Sequence, residues 1–147
     1  MLYAEFLLGG NSMKQGIEFT CNLVGSIFIG EKENIPLGSK ILIRCDSAED
    51  AQTIDNKMWE SPKEMLIPHH VYEKNQKNTD VSIMYPGLKI DSEFNVLVNL
   101  NPDMPKDVTN YKYFYQIVIE DQGSLRGRAA ESWKNCLELN IKPKFKK

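Results

Sequence analysis

The chain has 147 residues, 41% of them apolar and 26% charged, with a formal net charge of −2. That length suits one domain with a sizeable core, and the near-neutral charge excludes a molecule that binds nucleic acid over its whole surface by electrostatics. Any function that needs positive charge must be local.

Cys21, Cys45 and Cys136 form no C-x-x-C pair, and an odd number cannot pair fully within one chain. Buried thiols in a reducing cytoplasm are expected. The opening Met1-Leu2-Tyr3-Ala4-Glu5 has no basic segment leading into a long apolar run, so no signal peptide is expected. No apolar stretch reaches about 18 residues, the length of a membrane-spanning helix.

Residues 2–8 are apolar-rich and close on Gly9-Gly10-Asn11, which predicts a first strand and its turn. From Ser12 to about Lys32 the period turns helical, with Ile17, Cys21, Val24 and Phe28 on one stripe. Ile41-Leu42-Ile43 is a short continuous apolar run that suits a strand buried on both faces. Asp46 with Glu49 reads as an N-cap and capping box. The helix it opens carries Ala51, Ile54 and Met58 on one face and should stop near Ser61-Pro62. Residues 71–79 are polar and read as a surface loop. Strands are predicted over residues 80–86, 94–100 and 113–120, and a last helix over 122–138 with Leu125, Ala129, Cys136 and Leu137 buried. Residues 1–141 are expected to form one α/β domain with a mostly parallel, twisted sheet flanked by helices, and 142–147 a basic tail.

Signatures of catalysis are missing. Gly9-Gly10 sits where a phosphate loop would lie, yet it matches neither G-x-G-x-x-G nor G-x-x-x-x-G-K-[ST] and reads as a tight turn. His69-His70 lack the further ligands a zinc site needs, and His69 reads as a positioned loop histidine. No G-x-S-x-G accompanies either histidine. No cofactor, metal or catalytic set is expected.

Two constellations read instead as docking surfaces. Trp59 is rotated about 100° from Met58 and so leaves the core stripe of its helix. With Pro62, Met65, Leu66 and Pro68 it would form a stiff apolar surface; folding back over the sheet edge is the alternative. On the last helix, Arg126 and Trp133 lie seven positions apart on nearly one line, with Ala130 beside them and Lys134 one turn beyond Ala130. A small residue between an indole and cations suits an aromatic side chain with a carboxylate beside it. A core tryptophan with ordinary solvated neighbours is the alternative.

The W-x-x-P…P-H spacing of Trp59, Pro62, Pro68 and His69 resembles the central signature of the DNA polymerase III chi subunit family. Trp133-Lys134, behind a basic amphipathic helix, resembles that family's basic, aromatic-Lys motif. The chain length, the opening at residues 2–8 and the strand at 40–45 leading into an acidic helix start match as well.

The resemblance implies a Rossmann-like fold without nucleotide chemistry, and two partners. One is the small psi subunit, which links chi to the clamp loader. The other is the acidic C-terminal tail of the single-stranded DNA-binding protein, which ends in proline and phenylalanine. Trp59, Pro62, Leu66 and Pro68 match the psi-facing region, with Leu66 where members often have Phe. Arg126, Trp133 and Lys134 match the tail-binding helix, with Ala130 in its dent, and Ile119 matches an apolar lining position. Ala130 and Ser132 stand where the family usually has Arg, which shifts the carboxylate contact to Arg126 and Lys134, with the basic C-terminus in support. Direct nucleic-acid binding is not expected, because no aromatic-rich basic sheet face is legible. The competing readings are a small nucleotide- or metal-dependent enzyme and a nucleic-acid binder acting through the basic tail.

Overall fold

A computed structural model describes residues 2–32, 34–60, 67–72, 80–90 and 93–146. Their strands are β1 Tyr3–Leu8, β2 Ile41–Arg44, β3 His69–Val71, β4 Val81–Met84, β5 Val96–Asn99, β6 Tyr113–Val118 and β7 Lys144–Lys146. The helices are α1 Met13–Phe28, α2 Ala48–Glu60 and α3 Ser124–Glu138. All seven strands form one parallel sheet in the order β3-β4-β2-β5-β6-β1-β7. The fold is therefore α/β, as the sequence implies, and the sheet is wholly rather than mostly parallel.

A parallel sheet must be covered on both faces, which explains the unbroken apolar runs of its central strands. On one face α1 and α2 bury Ile17, Cys21, Val24, Ala51, Ile54 and Met58 against Ile41, Ile43, Val98 and Ile117. The other face has one helix, α3. There Ala129 and Cys136 share the covering with residues of the β4–β5 and β5–β6 connections, among them Phe94, Val108 and Tyr111. Gly16 lets α1 settle close on the sheet: a Cβ there would stand 2.8 Å from Cδ1 of Ile119.

Several expectations change at the residue level. α1 ends at Phe28, not near Lys32, and Gly30 follows at φ +85, a left-handed conformation suited to glycine just past a helix. The cap of α2 is Ser47, whose hydroxyl accepts from the amide of Asp50 at 3.1 Å; Asp46 is turned toward Arg128 instead. β3 begins before the predicted polar loop and takes Val71 from it, since parallel pairing with β4 satisfies its backbone. Within that loop, 73–79 lie outside the described residues. Lys144–Lys146, read as part of a basic tail, pairs with β1 as an edge strand, with Phe145 opposite Phe6. The Gly9-Gly10 turn is filled by its own chain, because Oε1 of Gln15 accepts from the amide of Asn11 at 2.6 Å.

The sheet also carries an aromatic cluster that the sequence reading did not expect. Tyr3 lies beside Tyr113 and Tyr115, with ring centroids 6.4 and 6.2 Å away, and the Lys144 ammonium sits 5.3 Å from the centre of the Tyr3 ring. Among the described residues, no helix is long and apolar enough to cross a membrane.

Candidate docking sites

The flank of α3 is built from β6 outward. Asp121 accepts backbone hydrogen bonds from Gly123, Leu125 and Arg126, which fixes the first turn and holds its carboxyl below the usual range. Arg126 follows on the exposed side, its Nε 3.6 Å from Oε2 of Glu120. Trp133, two turns on, is half-buried and meets Phe6 of β1 edge-on at 5.0 Å between centroids. Between them the small Ala130 leaves a cleft of about 200 Å³, walled by Arg126, Trp133, Phe6, Val118, Glu120 and Phe145. The cleft joins an apolar floor and an aromatic wall to a guanidinium at its rim. That combination accepts an aromatic side chain with a carboxylate beside it.

Arg126, Ala130 and Trp133 therefore come together as their spacing predicts. Ile119 does not join them. It is buried on the opposite face against α1, because side chains alternate along the chain leaving β6; Val118 lines the cleft in its place. Lys134 is exposed on the outer side of α3 and does not line the cleft. The buried stripe of α3 also differs from expectation. Ser132 is buried, its hydroxyl donating to the carbonyl of Pro102, whereas Leu137 is 52% exposed.

Arg128 is used elsewhere. It forks onto Asp46 at 2.9 and 3.1 Å and onto Asp103 at 2.9 and 3.0 Å, tying α3 to the segments that follow β2 and β5. Hydrogen bonding from Arg128 holds the Asp103 carboxyl below its ordinary range.

The second region surrounds Trp59 in the last turn of α2. Trp59 is 60% exposed, as its rotation off the Ala51–Ile54–Met58 stripe requires. Its ring lies against the imidazole of His69, 4.5 Å between centroids. His69 is buried, with Nδ1 2.7 Å from the Ile67 carbonyl and Nε2 3.0 Å from the Asp55 carbonyl. The histidine thus locks the end of α2 to β3 and holds the indole up from beneath. Pro68 is exposed next to it. Pro62, Met65 and Leu66 lie outside the described residues; of the expected surface, Trp59 and Pro68 are described, and both are exposed.

The family described as DNA polymerase III chi subunit, HolC, matches residues 14–144. The chain belongs to the DNA polymerase III chi subunit family. DNA polymerase III subunit chi of Haemophilus influenzae is 28% identical over 118 residues, covering 80% of this chain and 76% of that one. Its counterpart from Escherichia coli is 24% identical over 130 residues, covering 88% and 86%. Among solved structures, the C-terminal domain of the DEAD-box protein Dbp5 superposes with a TM-score of 0.63 at 12% identity, over 98% of this chain and 89% of that one. At that identity the likeness concerns the fold alone.

The family match spans the Trp59 region and the α3 and β6 side of the cleft, while Phe6 and Phe145 lie just outside it. Phe6, Val118 and Phe145, which complete the cleft, were not singled out from the sequence. Period-two alternation puts Phe6 and Val118 on one face of the sheet, so that signal was available. Phe145 was hidden because a three-residue strand with lysines on both sides looks like a solvated tail.

Proposed function

We propose that this chi-family chain is a non-catalytic accessory subunit of the bacterial replication machinery, acting in the cytoplasm as a bridge. One end of the bridge is the α3 cleft, which takes the acidic C-terminal tail of the single-stranded DNA-binding protein. The other is the surface around Trp59, Pro62, Leu66 and Pro68, which takes the psi subunit of the clamp loader. The observation that carries the reading is the cleft: Ala130 makes the room, Trp133 and Phe6 make an aromatic wall, and Arg126 supplies a cation at the rim. The Trp59 surface supports the second contact, because a large exposed indole held rigidly from below is a common interface anchor.

The test is fluorescence anisotropy with a labelled acidic peptide ending in Pro-Phe. Binding is expected, and Trp133→Ala should weaken it by about 2 kcal/mol, roughly thirtyfold, the loss of an aromatic anchor. A folded Trp133→Ala protein that binds as well as the parent would remove the cleft from the mechanism.

A further inference from the structure

Leu137 has the position of an interface residue. Its periodicity suggests burial, yet half of its surface faces water. Around α3 it lies about 20° from Ala130 and about 40° from Trp133, so the three form one row along a single flank. Trp133 and Ala130 line the cleft, and Leu137 extends the same apolar row beyond it. Lys134 stands about 60° to one side of Leu137, while the carboxylates of Glu131 and Glu138 point about 100° or more away. Lys142, also exposed, follows the end of the helix.

We propose that this row is a track for an extended acidic peptide with two apolar anchors: a terminal aromatic in the cleft, and an aliphatic side chain on Leu137 two to three residues upstream. The inference rests on the tail-binding reading and adds a second specificity point to it. The direction follows from charge. A terminal carboxylate is drawn to the Arg126 guanidinium at the rim of the cleft, so the upstream chain runs toward Leu137. The spacing follows from geometry. Trp133 to Leu137 is about 6 Å along the axis and Ala130 to Leu137 about 10 Å, which an extended chain rising about 3.3 Å per residue covers in two to three residues. A second copy of this chain fits less well, because a self-complementary contact centred on Ala130 would set Arg126 of each copy against Lys134 of the other.

The experiment uses the full chain and labelled nonapeptides rich in aspartate and ending in Phe. One set carries leucine two or three residues before the Phe, and the other carries alanine there. Wild type should bind the leucine peptides about fivefold more tightly. Leu137→Ala should erase that preference while binding the alanine peptides as wild type does. Phe-dependent binding with no leucine preference, or a preference that survives Leu137→Ala, overturns this inference and leaves the tail-binding reading intact. Binding of neither set overturns the tail-binding reading itself, and this inference with it. A concentration-dependent dimer in sedimentation that Leu137→Ala dissolves assigns the row to self-association, and also overturns it.

Discussion

Arg128 shows how one side chain is diverted from the role its type suggests. If α3 takes an acidic peptide, as proposed, every arginine on that helix is a candidate contact. This one lies about 140° round the helix from Trp133 and clamps Asp46 and Asp103 instead. The pair with Asp103 is largely exposed, so its contribution is at most a few tenths to about 1 kcal/mol. Its pH dependence has a definite sign. A carboxyl lowered in the folded state stabilises fully above its unfolded value of about 3.9, and that contribution is lost as pH falls through the folded value. Asp103→Asn should therefore be slightly less stable than wild type at pH 7, with the gap narrowing as pH falls below about 4; urea melts at both pH values would show it. A gap unchanged at the lowest pH at which both proteins remain folded would mean that Asp103 acts by something other than its charge. The direction of Arg128 was legible from helix periodicity. Its partners were not, since Asp46 and Asp103 are 82 and 25 residues away and only the sheet order brings them together.

Elements were legible where periodicity was strong and obscure where they were short. The stripes of α1 and α2 stood out because each repeats over several turns, and the paired strands β2 and β5 because burial on both faces demands unbroken apolar runs. β3 and β7 have three residues each, too few for alternation to register. The oversight at β7 matters to the site, since that strand brings Phe145 to the cleft and places Lys146 Nζ 3.2 Å from Oε1 of the buried Glu5. Removing residues 143–147 should lower both stability and peptide affinity, because it takes away a cleft wall, leaves β1 as an edge and unpairs a buried carboxylate. Phe145→Ala separates these effects. It should weaken the acidic peptide by about 1 kcal/mol with little change in the melting temperature, because Phe145 is 47% exposed and fills little of the core. A paired thermal melt and anisotropy titration checks it. Equal loss of both in Phe145→Ala would make β7 a purely structural strand.

At the scale of the whole molecule, the question is whether the chain reaches DNA by itself. Its net charge is −2. The tyrosine and lysine cluster on the sheet resembles in composition the stacking platforms of single-strand binders, but its parts are engaged within the fold. Tyr115 is 1% exposed, the Tyr113 hydroxyl donates to the Asn34 carbonyl at 2.5 Å, and the Tyr3 hydroxyl donates to Glu5. The Glu5 carboxylate within that cluster would also repel a phosphate. Beyond that cluster, Arg126 stands at the rim of the cleft, and Lys134 and Lys142 are exposed on α3 and just after it. The chain should therefore approach single-stranded DNA through the protein that coats it. Raising salt from low to moderate concentration should weaken the acidic-peptide complex, because Arg126 and Lys134 are exposed and screened at a Debye length of about 10 Å. It should not abolish the complex, because the aromatic contact in the cleft is apolar. Replacing the last Phe of the peptide by Ala should cost more than that change in salt, on the order of 2 kcal/mol. The two titrations are compared with one on bare single-stranded DNA at physiological salt, where binding should be weak. Tight binding to bare DNA, falling steeply with salt, would mean that the lysines and tyrosines form a nucleic-acid surface after all.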